Sequence, residues 1–164
     1  MILYPPERFD LNEWFILLTA TTVILIVLLL PKRFPPALTA FILLFNVFLG
    51  QTVDFLIGVP PYDLYDVNDS PKYEITDFVL YFSSYPSVAY TMLHFYDKWE
   101  VKGSRVILYI GGWSFLTMGL EWAAELAHVF KYKEWRLWYS LLVYIGIYIL
   151  NILALHLARY LLHK

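Results

Sequence analysis

The chain of 164 residues contains no cysteine and few charged side chains. Without cysteine it cannot form a disulfide, use a thiolate nucleophile or bind a metal through cysteine. Charged residues make up 16% of the chain, and 12 Lys and Arg against 14 Asp and Glu give a net charge of −2. The basic residues are scattered singly or in pairs, so no nucleic-acid partner is predicted.

Apolar residues are what the sequence has in excess, at 60% of the chain with a mean hydropathy of +0.57. A helix needs roughly 20 mainly apolar residues to cross about 30 Å of hydrocarbon. Apolar runs predict spans at about 14–31, 36–57, 77–96, 106–128 and 136–159. We therefore predict an all-α fold, in which residues 1–164 form a single membrane domain of five transmembrane helices with short loops and the lipid bilayer as partner.

The fourth predicted span is less apolar than the others because it contains Glu121 and Glu125. Basic residues precede and follow it, and leaving it outside the membrane would expose large apolar side chains such as Trp113 and Phe115 to water. The flanking charges and these side chains together favour a membrane span.

Basic residues near the span ends indicate an orientation. The side that holds the C-terminus would carry seven of them and the opposite side five. Because cytoplasmic loops carry an excess of Lys and Arg, the N-terminus is predicted outside and the C-terminus in the cytoplasm. The first group is Lys32, Arg33, Lys98, Lys102, Arg105, Arg159 and Lys164, and the second is Arg8, Lys72, Lys131, Lys133 and Arg136.

Polar side chains recur at helical spacing within four of the spans. In the fourth span, one stripe carries polar residues and the opposite stripe carries small ones. Because small residues let neighbouring helices approach closely, we expect this helix to be the central one of the bundle. Pro86 lies within the third span and should distort it. The polar stripes are Asn46 and Asp54; Asp77, Tyr81, Ser84 and Thr91; Ser114, Thr117, Glu121, Glu125 and His128; and Ser140, Tyr144, Tyr148 and Asn151.

Five ionisable side chains from these stripes fall at the same predicted side of the membrane. An ionisable group at a helix centre costs about 2.5–3.5 kcal/mol on insertion scales, so such groups face protein or a water-filled cavity. We predict that these side chains converge on one outward-facing cavity. They are Asp54, Asp77, Glu121, Glu125 and His128.

Three of these residues also form a candidate metal site. Glu125 and His128 have the Glu-x-x-His spacing of helical-bundle metal sites, and Glu121 lies one turn earlier. A di-iron bundle needs a second Glu-x-x-His, which the sequence lacks. The alternatives are a structural network, in which the carboxylates bond to hydroxyl, amide or lysine groups, and a proton or cation path. No cofactor is strongly implied.

The loop after the second span is rich in oxygen ligands, which suggests calcium. It lacks the Gly and the closing Glu of an EF-hand. We favour a helix start in which Ser70 is the cap and Pro71 the first helical residue, with the acids facing solvent. The acidic and amide residues are Asp63, Asp66, Asn68 and Asp69.

Several short motifs in the second half of the chain resemble a family of small, uncharacterised multi-pass membrane proteins of spore-forming bacilli and clostridia. The resemblance covers about residues 80–160 and includes Glu121. It implies a bacterial cell membrane, or the inner membrane of a spore, and gives no catalytic residue. The motifs are Tyr85-Pro86-Ser87, residues 96–99, Trp113-Ser114, Glu121-Trp122, Tyr132, Trp135 and Ser140.

These features favour a membrane component without chemistry of its own. Its interior carboxylates would fix helix packing and bind a lipid headgroup, a cation, a partner subunit or a second copy of the chain. One alternative is a metal-dependent or acid/base enzyme acting on a lipid or isoprenoid, with Glu121 and Glu125 as acid, base or ligands and His128 as a ligand. The other is a small proton- or ion-coupled transporter or channel.

Overall fold

The chain is almost entirely helical in a computed structural model, which describes residues 3–6, 8–68 and 72–162. Within them, the α-helices are Leu11–Leu29 (α1), Pro36–Gly58 (α2), Ile75–Val79 (α3), Tyr85–Lys98 (α4), Arg105–Leu126 (α5) and Leu137–Leu162 (α6). A π-helical turn, Leu80–Ser84, joins α3 to α4. Two short strands, Tyr65–Val67 (β1) and Phe130–Tyr132 (β2), lie in the connections.

Four helices are long and apolar enough to cross a membrane: α1, α2, α5 and α6, with 19, 23, 22 and 26 residues. They correspond to the predicted spans 14–31, 36–57, 106–128 and 136–159, with shifts of a few residues at the ends. A fifth spanning helix over 77–96 is not confirmed, because that segment is divided between α3, the π-helical turn and α4. The structure therefore supports an all-helical, multi-pass class of membrane protein.

Local sequence signals determine where the first two helices begin. Asp10 and Glu13 form a capping box at α1, in which Glu13 Oε2 accepts a hydrogen bond from the Asp10 N–H at 2.8 Å. Pro36 occupies the first position of α2, where the missing N–H would have had no helical partner. Both helices thus start at residues that satisfy or remove their free N–H groups.

The helix after the acidic loop begins later than the sequence suggested. Glu74 and Asp77 form a capping box, with Asp77 Oδ2 accepting from the Glu74 N–H at 2.7 Å, and α3 begins at Ile75. The predicted cap Ser70 and the following Pro71 lie outside the described residues.

The segment Ile75–Lys98 is one helical path whose geometry changes in its middle. The π-helical turn precedes Tyr85 directly, so Pro86 lies in the first turn of α4. A proline inside an α-helix removes one hydrogen bond and clashes with the preceding turn. Widening that turn to π geometry relieves the clash, and the distortion expected at Pro86 takes this form.

The most enclosed helix of the bundle is α4, in which nine of 14 residues are buried. In α5, only four of 22 are buried, and a Cβ added at Gly112 or Gly119 would meet no described atom within 4 Å. The prediction that the fourth span is the central helix is therefore wrong. Small residues permit close helix packing but do not require it, and here they leave that face of α5 open.

Polar stripes of the second and last predicted spans meet inside the bundle. Asn46 Nδ2 donates to Asn151 Oδ1 at 2.7 Å, and Asn151 Nδ2 donates to Asn46 Oδ1 at 3.0 Å. Both side chains are almost fully buried. This reciprocal amide pair joins α2 to α6 inside the bundle.

Three charged residues gather at one end of the bundle, which we call the basic end. Arg33 Nε lies 2.8 Å from Asp97 Oδ2, and Arg159 Nη2 lies 2.7 Å from Asp97 Oδ1. One carboxylate thus ties together the α1–α2 connection and the C-terminal ends of α4 and α6. Lys164, grouped with these residues in the predicted orientation, lies outside the described residues.

The opposite end, the strand end, is closed by β1 and β2. They pair antiparallel, with Tyr65 opposite Tyr132. A single backbone bridge links Tyr4 to Glu74. Because Glu74 precedes α3 and Asp97 lies at the end of α4, the segment Ile75–Lys98 extends from the strand end to the basic end.

Replacing Asp97 by Asn should destabilise the basic end, because two arginines would then face each other without a carboxylate. We expect a loss of about 1–3 kcal/mol in the free energy of unfolding, measured by denaturation in detergent micelles. Glu100→Gln is the control, since that side chain is 77% exposed and pairs with Lys102 at 3.5 Å. Its effect should stay below about 0.5 kcal/mol, and equal losses in the two variants would contradict the assignment.

Candidate functional site

A cavity of about 440 Å³ lies inside the bundle, bounded by α1, α2, α4, α5, α6, the π-helical turn and both strands. Most of its wall is apolar, with side chains such as Leu49, Val53 and Val143. Its two carboxylates, Asp54 and Glu121, lie at the strand end. None of its described lining residues is a Lys, Arg or His.

Glu121 accepts hydrogen bonds on both carboxylate oxygens and is only 8% exposed. Oε1 accepts from the Tyr132 hydroxyl at 2.5 Å and from Ser140 Oγ at 2.6 Å, and Oε2 accepts from the Tyr144 hydroxyl at 2.5 Å. Trp135 Nε1 in turn donates to Ser140 Oγ at 2.9 Å. One side chain therefore connects α5, β2 and α6.

Asp54 has a similar environment on the facing side of the cavity. Its Oδ1 accepts from the Tyr65 hydroxyl at 2.5 Å and its Oδ2 from the Tyr85 hydroxyl at 3.2 Å, and Tyr81 lies beside it. Each carboxylate is thus solvated by tyrosine hydroxyls in place of water.

The two strand tyrosines remain hydrogen-bond donors at physiological pH. Burial raises the pKa of Tyr65, and the neighbouring Asp54 carboxylate raises it further. Burial likewise raises the pKa of Tyr132, together with its hydrogen bond to Glu121. Both tyrosines therefore stay protonated near neutral pH and can donate to Asp54 and Glu121.

Asp77 lines a second cavity, of about 830 Å³, at the strand end. Its Oδ1 accepts a short hydrogen bond from Asn68 Nδ2, and its Oδ2 belongs to the capping box of α3. Asp54 lines both cavities. The predicted convergence is thus divided between them: Asp54 and Glu121 share the first, and Asp54 and Asp77 share the second.

Glu125 and His128 line neither of these cavities. The helix ends at Leu126, and His128 is exposed beyond it with φ of 63°. The His128 N–H donates to the Glu125 carbonyl at 2.9 Å, and the Val129 N–H donates to the Ala124 carbonyl at 2.9 Å. This is the left-handed residue of a Schellman-type helix end, so the Glu-x-x-His spacing does not lie within one helix.

The metal candidates Glu121, Glu125 and His128 do not come together as a ligand set. Among residues 3–6, 8–68 and 72–162, no group of three or more His, Asp and Glu is arranged to hold a metal ion. Glu121 is bonded to hydroxyl groups instead.

The acidic loop is bound by a lysine. Lys133 Nζ lies 2.8 Å from Asp63 Oδ1 and 2.8 Å from Asp66 Oδ1, and these two carboxylates raise the pKa of Lys133 through their hydrogen bonds. Asn68 is buried and directed toward Asp77, and Asp69 lies outside the described residues. The ammonium thus occupies oxygens that the calcium interpretation assigned to an ion.

Sequence reasoning identified Glu121, Ser140 and Tyr144 but missed the strand tyrosines, Tyr65 and Tyr132. A signal for them exists, because each strand alternates an inward aromatic residue with an outward charged one. Strands of three residues are too short for that alternation to stand out from ordinary loop sequence.

Comparison with protein-family models, with characterised proteins and with solved structures found no match for this chain. The site is therefore interpreted from its own chemistry, and the family resemblance stays a prediction.

Replacing Glu121 by Ala should leave the Tyr132, Ser140 and Tyr144 hydroxyls without their acceptor. Each buried hydroxyl that finds no other partner costs about 1–3 kcal/mol, and we expect a loss of at least that size in the free energy of unfolding. Glu125→Ala, one turn further along α5 and outside both cavities, is the control and should change stability by less than about 1 kcal/mol. The network is refuted as a stabilising element if Glu121→Ala unfolds at the same denaturant concentration as the control.

Proposed function

We propose that this protein is a five-span integral membrane protein whose interior cavity binds one amphipathic molecule from the bilayer. The cavity itself carries the proposal, since an apolar wall with a few placed polar groups is the usual composition of a small-molecule site. Its volume of about 440 Å³ lies within the usual range of about 300–1,000 Å³ for such sites. On the resemblance described above, the membrane is that of a bacterial cell.

Cavity-lining side chains that are also exposed on the bundle surface support entry from the bilayer. Leu18 of α1 and Leu120 of α5 both line the cavity, yet they are 62% and 41% exposed on the bundle surface. Within the described residues, α1 packs mainly on the segment Ile75–Lys98 and makes no extensive backbone contact with α2, α5 or α6. We infer that a hydrocarbon chain enters between α1 and α5 without passing through water.

The segment Ile75–Lys98 is proposed as the fifth span. It extends from the strand end to the basic end and exceeds the roughly 20 residues that a span requires. Its low hydropathy comes from polar residues such as Ser87, Thr91 and His94, which are buried against other helices. Following the excess of Lys and Arg at the basic end, we propose that this end faces the cytoplasm.

The absence of cysteine allows a direct test of this topology. Tyr62→Cys at the strand end and Glu100→Cys at the basic end each introduce one exposed thiol. In intact cells, a membrane-impermeant maleimide should label Tyr62→Cys, and Glu100→Cys should react only after permeabilisation. Labelling of both in intact cells would refute the fifth span, and the reverse pattern would refute the orientation.

Filling the cavity should prevent ligand binding. Val143 lines the cavity from α6, while the preceding Leu142 is 62% exposed on the same helix. We expect native mass spectrometry of the detergent-purified protein to show one retained amphiphile on the wild type and on Leu142→Phe. Val143→Phe should retain at least about ten-fold less, because the added ring occupies the cavity. Equal retention by the two variants would place the ligand elsewhere and overturn the proposal.

A further inference from the structure

The cavity holds two acidic side chains and no described basic one. Asp54 and Glu121 both line it, and no Lys, Arg or His is found among its described lining residues. Their hydrogen-bond partners are neutral hydroxyls, which solvate a carboxylate without neutralising it. Two carboxylates that are both ionised in a low-dielectric interior repel each other far more strongly than they would in water, and a cation between them removes that repulsion.

The carboxylates retain acceptor capacity toward a ligand. An ionised carboxylate offers about four lone-pair positions. Glu121 uses three of them for Tyr132, Ser140 and Tyr144. A further donor entering the cavity could therefore bond to Glu121 without displacing the existing network.

A hydroxyl group without a partner points to a missing ligand at the same place. Ser84 lies in the π-helical turn, lines this cavity and is only 7% exposed. Its Oγ is buried and has no hydrogen-bond partner among the described residues. A buried hydroxyl of this kind costs free energy unless something bonds to it.

Aromatic side chains near the carboxylates add to this preference for a cation. The cavity is lined at its strand end by Tyr65, Tyr132 and Trp135, and by Tyr85 and Tyr144 nearby. The faces of such rings attract ammonium groups, and the attraction increases when the cation has lost its water.

We propose that the bound amphiphile is an alkylammonium compound. Its primary ammonium head lies between Asp54 and Glu121 and donates to them and to Ser84, and its hydrocarbon chain follows the apolar wall toward the inferred entry between α1 and α5. This inference rests on the proposed function, because it assigns a head group to the ligand of the same cavity.

Three probes that share a twelve-carbon chain test the head group: dodecylammonium, dodecanol and dodecanoate. Binding is measured on the full chain in phosphatidylcholine nanodiscs, with uptake by empty nanodiscs subtracted. Hydrogen bonds to charged groups contribute about 1.5–3 kcal/mol, so dodecylammonium should bind at least about ten-fold more tightly than dodecanol. Dodecanoate should bind more weakly than either.

Charge-removing variants test the residues. In Asp54→Asn and Glu121→Gln, the preference for dodecylammonium over dodecanol should fall to less than about three-fold, while Glu125→Gln should keep it. Unchanged dodecanol binding shows that the cavity of a variant is intact. If both variants also lose dodecanol binding, their cavities are not intact. The order of the three affinities measured on the wild type then decides whether the head group is an ammonium.

The outcomes separate this inference from the function on which it rests. If none of the three probes binds above the empty nanodiscs, the proposed function itself fails. Equal binding of dodecylammonium and dodecanol, or tighter binding of dodecanoate, leaves the cavity as an amphiphile site and overturns the ammonium head group.

Discussion

A carboxylate that is shielded from water must find its hydrogen-bond donors within the protein, and this requirement organises the interior of the bundle. Glu121 obtains donors from β2 and α6, and Asp54 obtains them from β1 and α4. The strands are therefore attached to the helices through Tyr132 and Tyr65 as well as through the chain. Two acidic residues that are costly in hydrocarbon become the points at which separate parts of the sequence meet.

The same principle explains why the least apolar helical segment lies at the centre. Ser87, Thr91 and His94 are buried in α4, whereas α1, α2, α5 and α6 expose large apolar side chains on the surface of the bundle. The amide pair between Asn46 and Asn151 and the bridge from Asp97 to two arginines act in the same way. Polar groups inside and charged groups at the basic end specify which helices are neighbours, whereas apolar contacts alone would allow several arrangements.

The sequence was sufficient for the class of protein and for the four apolar spans, because span length and hydropathy are properties of single segments. It also placed Glu121, Ser140 and Tyr144 on inward stripes, since helical spacing is regular. It could not locate the end of α5, where a left-handed His128 stops the helix with no glycine to indicate it. The tyrosine donors Tyr65 and Tyr132 depend on the pairing of two loops far apart in sequence, and no local pattern encodes that pairing.

The proposed entry between α1 and α5 has a consequence for which part of a ligand the site would select. A hydrocarbon chain that moves from the bilayer into this cavity exchanges one apolar environment for another, so lengthening it changes the affinity measured from the membrane only slightly. Each added methylene does favour transfer from water to the bilayer, by about 0.8 kcal/mol. The length of the hydrocarbon chain therefore sets how much ligand dissolves in the membrane. Selection among the molecules already dissolved there would depend on the few polar atoms at the strand end of the cavity. The relevant concentration for such a site is the mole fraction of the ligand in the bilayer.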